Sequence, residues 1–149
     1  MAKPTYIEPN LPEWLQKFRY HTRIKVRFCE TDLSGHVNNT SYLVYFEQAR
    51  VEYLHHLKIV DENLMIFTAD IWCHYHSEAY FFEELEVGVR TSRMGNSSLD
   101  LEYAILSARD SRLVATGAGT IVFMDKQTKK PTKIEDRFRK AIEEYERGK

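Results

Sequence analysis

The chain of 149 residues has the length of one domain and is long enough to bury a sizeable core. With 21 basic against 22 acidic residues, a net charge of −1 and the two signs interspersed, it has no electrostatic footprint for duplex nucleic acid. No apolar run reaches the roughly 18 residues of a membrane helix, and Met1 to Pro12 lacks a signal-peptide core, so a cytoplasmic protein is expected.

Residues 1–21 read as an amino-terminal appendage, and residues 22–149 as a single domain. A short helix over Pro12 to Phe18 puts Trp14, Leu15 and Phe18 on one side, suited to packing on the domain or on a partner subunit. The first strand alternates Ile24, Val26 and Phe28 with Arg23, Lys25 and Arg27, the period of a half-buried strand. After the turn at Ser34-Gly35 a helix is predicted from about Thr40 to His56. Its apolar stripe is Tyr42, Phe46, Ala49, Tyr53 and Leu57, widened by Leu43 and Leu54. Four long strands follow, over Phe67 to Ser77, Glu84 to Arg93, Ser98 to Ala108 and Leu113 to Met124, with Gly117 and Gly119 marking a bend or a close backbone approach. The tail from Ile134 to Arg147 has a helical pattern and should cover an edge of the sheet. One long helix after the first strand, then a run of antiparallel strands, predicts an α+β domain whose sheet wraps a central helix.

Asp32 sits between the first strand and that helix. The start of a helix leaves backbone N–H groups unpaired and concentrates partial positive charge, which favours anions and developing oxyanions. Asn38, Asn39, Thr40 and Ser41 could each cap the helix, a plain role that needs no function.

The order Thr31-Asp32-x-x-Gly35-His36-Val37-Asn38-Asn39-x-x-Tyr42, then Tyr45-Phe46-Glu47-x-Ala49-Arg50, resembles the hotdog-fold acyl-CoA thioesterases of the 4-hydroxybenzoyl-CoA thioesterase type. It is also similar to the His-Val-Asn-Asn stretch of the acyl-ACP thioesterases, which share that fold. The match is tight over residues 24 to 54 and continues as strand pattern to about residue 125. The resemblance implies that Asp32 is the catalytic carboxylate, as nucleophile or general base, and that the Asn39 N–H is the oxyanion donor. It places His36, Asn38, Tyr42 and Glu47 around the substrate. It implies no metal or redox cofactor, coenzyme A being part of the substrate. It also implies a homodimer or homotetramer whose sheets join edge to edge, with the site between subunits. The chain departs from the pattern at Ser34, where acyl-ACP thioesterases carry Asn. It departs again at Tyr75-His76-Ser77-Glu78 and Phe82-Glu83, where many relatives have Tyr-x-x-Pro and Gly-Asp.

The other conspicuous residues have plainer readings. Glu47 is available as a second acid, but Arg50 at i+3 offers an ion pair. Cys29 and Cys73 fall inside predicted strands and read as reduced, buried thiols. His74 and His76 share a strand face without a third ligand at metal spacing. Lys126 to Lys130 and Arg90 to Arg93 read as solvated charge or as contacts to coenzyme A phosphates. Two rival functions are a non-enzymatic acyl-CoA binding or sensing module and a hotdog dehydratase that pairs an acid with His36.

Overall fold

The computed structural model describes residues 3–148. In chain order the elements are helix α1 (Leu11–Leu15), strand β1 (Tyr20–Lys25), helix α2 (Ser41–His56), strands β2 (Leu64–Tyr75), β3 (Glu84–Met94), β4 (Ser98–Ser107) and β5 (Leu113–Asp125), and helix α3 (Asp136–Glu146). The strands form one antiparallel sheet in the order β1-β3-β4-β5-β2, so β1 and β2 are its edges. This is the predicted sheet around a central helix.

The alternation that marks β3 and β4 in the sequence sorts their side chains. Leu85, Val87 and Val89 of β3 and Leu99, Leu101 and Tyr103 of β4 are fully buried beneath α2. From the helix, Tyr45, Phe46, Ala49 and Tyr53 complete that core, and Phe46 stacks on Tyr103 with ring centroids 4.6 Å apart. Helix and sheet meet closely because of Gly117 in β5. A Cβ there would lie 2.6 Å from both the Phe46 ring and the Trp72 carbonyl oxygen, far inside contact distance.

Several elements depart from the sequence reading. The first strand ends at Lys25 rather than running through Phe28. Residues Phe28–Glu30 instead form a 3-10 turn, because the Glu30 carboxylate reaches back to accept the Arg27 N–H at 2.8 Å. Phe28 and Cys29 therefore lie on the surface, and Cys29 is not a buried strand thiol. Cys73 does lie within β2, and burial pushes its thiol up to about 11. Helix α2 buries its stripe as expected, yet Leu43, Val44 and Val51 remain exposed, so its outward face is apolar as well.

The two terminal segments pack in different places. Ile7, Trp14 and Phe18 form a second cluster against Ala104 on the outer face of the sheet, where the Trp14 indole N–H donates to Glu102 at 2.7 Å. Helix α3 buries Phe138 and Ile142 in the main core. Strand β3 outlasts its neighbour β1, whose pairing ends at Val89, and the Glu146 carboxylate accepts the Thr91 N–H beyond that point at 2.9 Å. The tail thus covers a short stretch of sheet edge, as its pattern suggests.

Candidate active site

The bonds at the start of α2 leave the Asn39 N–H without an acceptor among the described residues. The Asn38 side-chain oxygen accepts the Thr40 N–H at 2.9 Å and the Thr40 hydroxyl at 2.7 Å, while the Asn38 N–H donates to the Glu30 carbonyl at 2.8 Å. The Ser41 N–H donates to the Asn38 carbonyl at 3.0 Å. Asn39 lies between these satisfied groups, and no acceptor among the described residues pairs with its N–H. Its carbonyl accepts the Tyr75 hydroxyl at 2.9 Å, which ties the helix start to the end of β2.

Asp32 is held opposite by a tight turn. Its N–H donates to the His36 carbonyl and its carbonyl accepts the Gly35 N–H, each at 3.0 Å, and Gly35 takes the left-handed φ of +85° that such a turn requires. One carboxylate oxygen accepts the Ser34 N–H at 2.8 Å. The other lies 3.9 Å from His36 Nδ1, whose opposite nitrogen is 3.8 Å from Glu78. Single backbone bridges from Thr31 to Val37 and from His36 to Tyr80 brace the turn against the β2–β3 connection.

Two charged groups anchor these loops. Glu30 is buried, and burial alone would raise its carboxyl. The Arg27 N–H, the Arg27 guanidinium at 3.1 Å and the Tyr45 hydroxyl at 3.1 Å outweigh that and hold it below the usual carboxylate range. Arg112 donates to the Ser77 hydroxyl, the Glu78 carbonyl and both oxygens of Glu83, fastening β5 to the β2–β3 connection.

Between these loops lies a cavity of about 410 Å³. Asp32, His36, Asn39 and Tyr42 line one wall; Tyr75, His76, Ser77 and Glu78 line the other. Asp32 and Asn39 thus line one space, and between them a carboxylate and an unpaired backbone N–H at the start of a helix could supply what acyl transfer requires: a nucleophile or base, and a donor where oxygen gains charge. Tyr42 is at the same time part of the core. The Asn38 side chain is engaged within the turn, and Glu47 is exposed, 3.9 Å from Arg50 and off the cavity wall. In the sequence the second wall shows only as the departure from the family pattern at Tyr75-His76-Ser77-Glu78. Strand alternation places Tyr75 and Glu78 near the end of β2 but carries no sign that this end meets the start of α2.

His74 and His76 have other partners. Tyr6 OH lies 2.7 Å from His74 Nδ1 and 2.9 Å from the Thr116 hydroxyl, which in turn lies 2.8 Å from His76 Nε2. Burial, and then the adjacent His74, lower the His76 pKa.

Comparison with known proteins agrees with this fold. Residues 26–142 match the model of the thioesterase-like superfamily. The chain is 33% identical over 144 residues to the uncharacterized protein YsmA of Bacillus subtilis, covering 95% of this chain and 97% of that one. It is 27% identical over 127 residues to the long-chain acyl-CoA thioesterase FadM of Escherichia coli, covering 83% and 96%. A thioesterase from Thermus thermophilus, solved with coenzyme A and Zn, superposes with a TM-score of 0.78 at 29% identity, covering 90% of this chain and 98% of that one. The chain belongs to the thioesterase-like superfamily, and it is a thioester hydrolase of the hotdog fold.

Proposed function

We propose that this protein hydrolyses acyl-coenzyme A thioesters to the free acid and coenzyme A, with Asp32 as nucleophile or general base and the Asn39 N–H as oxyanion donor. The observation that carries this reading is that Asn39, whose N–H has no acceptor among the described residues, lines the same cavity as Asp32. An N–H at the start of a helix, already fixed by the bonds on either side of it, requires no reorganisation when the carbonyl oxygen becomes anionic. The named activity of FadM and the coenzyme A in the Thermus thermophilus structure support the choice of thioester. The chemistry needs no metal or redox cofactor, since carboxylate and dipole supply both halves of it.

In this reading residues 22–149 form the catalytic domain, residues 1–21 an appendage to it, and the working unit is a homodimer or a homotetramer. Support comes from the free edge of β2, which exposes Phe67 and Trp72, and from Val44 and Val51 on the outward face of α2. Two copies joined along β2 would carry the site between them.

The test is free-thiol release from short, long and aromatic acyl-CoA esters, with the Asp32→Asn variant alongside. Turnover should fall by roughly 10²–10⁴ with the fold retained, the usual effect of removing a positioned base. A variant within a factor of about two of the parent would remove Asp32 from the mechanism. Tight binding of esters without thiol release from any of them would instead favour a sensing module.

A further inference from the structure

A cluster of aromatic rings stands exposed at the end of the sheet where β1 stops and β3 begins. Phe28 is 76% and Phe82 63% exposed, and Phe81 joins them: its ring centroid is 5.6 Å from Phe28 and 4.0 Å from Phe82. Tyr80 extends the patch toward the cavity, since its backbone pairs with His36. Phe82 has a φ of +68°, a left-handed conformation that a bulky side chain rarely adopts. Backbone bonds from the Phe82 N–H to the Val26 carbonyl and from the Glu83 N–H to the Tyr80 carbonyl hold it there. Strain of this kind persists only where the surroundings impose it, and here it presents a phenyl ring to solvent.

Cationic side chains ring the aromatics, and two of them extend outward from less exposed acids. The Lys25 ammonium stands 5.1 Å above the Phe82 ring, and Arg23 and Arg109 line the groove of about 610 Å³ that the aromatics border. Arg27 is 70% exposed where its partner Glu30 is 9% exposed, and Arg112 is 33% exposed where Glu83 is 15%. The exposed acids of this region, Glu84 paired with Arg23, Asp110 paired with Arg112 and Glu78 bonded to Tyr80, lie among the cations. The patch also lies across the sheet from the free edge of β2, so it is separate from the surface suited to strand joining.

We infer that this patch docks the protein on a bilayer surface carrying anionic lipid headgroups, with Phe28, Phe81 and Phe82 entering the interface and Lys25, Arg23, Arg27 and Arg109 facing the headgroups. Aromatic rings bury apolar area at that depth, and exposed cations are drawn by the negative surface potential. The docking stands on the patch alone, not on hydrolysis. Combined with the proposed activity, it would set the Asp32 cavity beside a surface in which acyl-CoA amphiphiles partition.

The experiment is flotation of the full chain with vesicles of phosphatidylcholine alone and of phosphatidylcholine with roughly one third phosphatidylglycerol. Binding to the anionic vesicles should exceed that to the neutral ones by about tenfold or more and should fall at high salt. The Phe28→Ser/Phe82→Gly pair should reduce binding by at least about tenfold. Glycine suits the φ at position 82, so thermal unfolding should hold. If the pair nevertheless fails to fold, Lys25→Glu alone should remove the preference for anionic vesicles. Asp32→Asn should bind as the parent does, which separates this result from the fate of the hydrolase mechanism. Absence of binding to either vesicle, binding that the substitutions leave unchanged, or a change of oligomeric mass in the Phe28→Ser/Phe82→Gly variant would overturn the inference, the last by making the patch a contact between copies.

Discussion

Tyr45→Phe removes one hydroxyl and little volume, which makes it a clean probe of how the site is held. The lost atom donates 3.1 Å to a Glu30 carboxylate oxygen in the interior, beneath the loop that carries Asp32. A hydrogen bond to a buried charge contributes about 1.5–3 kcal/mol. Glu30 keeps the Arg27 N–H and guanidinium, so the loss should fall at the low end, about 1.5–2 kcal/mol of stability at neutral pH. The same residue's carbonyl accepts the Asn38 N–H and the Ser41 hydroxyl, so a loosened Glu30 lets the helix start move relative to Asp32. A displacement well under an ångström should lower kcat by about tenfold with KM nearly constant. The pH dependence has a definite sign. Glu30 has a folded pKa below its unfolded value, so its contribution is present above the unfolded pKa of about 4.3 and disappears as pH falls through the folded value. The stability gap between parent and variant should therefore be widest near neutrality and close in acid. Urea unfolding at several pH values, paired with thiol-release kinetics, reads both effects. A gap that persists undiminished in strong acid, or unaltered stability and kcat together, would refute the role given to Glu30.

Two further substitutions test the packing around the site. Gly117→Ala places a Cβ against the Phe46 ring and the Trp72 carbonyl, and a backbone oxygen within the β2–β5 pairing has no room to yield. A loss of about 2–3 kcal/mol is expected in denaturant unfolding, and a variant as stable as the parent would contradict the close approach of helix and sheet. Glu146→Gln keeps an acceptor for the Tyr53 hydroxyl and the Thr91 N–H. Burial raises the Glu146 carboxyl, outweighing these donors, so its stabilising contribution is full below the unfolded pKa and is lost as pH rises through the folded value. The variant should melt several degrees above the parent at neutral pH and together with it in acid; the reverse order in a melting series would be decisive against this account.

Much of the architecture is legible in the sequence because it rests on local periodicity. Leu85, Val87 and Val89 of β3 and Leu99, Leu101 and Tyr103 of β4 fall at every second position, and Tyr42, Phe46, Ala49 and Tyr53 recur at helical spacing. The Asp32 turn and the start of α2 are legible as a spaced motif, and the structure brings Asp32, His36, Asn39 and Tyr42 to one cavity. What the sequence hides depends on contacts distant along the chain. Phe28 continues an alternating pattern, but a side-chain bond from Glu30 back to Arg27 ends the strand before it, which also brings Cys29 to the surface. Tyr75 reaches the carbonyl of Asn39 across 36 residues, and Arg112 fastens a loop some 30 residues earlier, neither of which any periodicity encodes. The apolar outward face of α2 blurs its pattern for a related reason: positions such as Val44 and Val51 are not explained by the core of this one chain.

The indole of Trp14 gives the amino-terminal segment a role in deciding geometry at a larger scale. By seating Trp14 and Phe18 over Ala104 and beside Gly88, the chain tiles the middle of its own sheet's back. Stacking two molecules back to back through that region would first require peeling the segment away, exposing a tryptophan and leaving the carboxylate of Glu102 with the Arg90 guanidinium but without the indole N–H. The segment from Ile7 to Phe18 therefore occupies that face: another molecule could reach the covered part of the sheet only by displacing it, whereas the edge of β2 and the outward face of α2 stay uncovered.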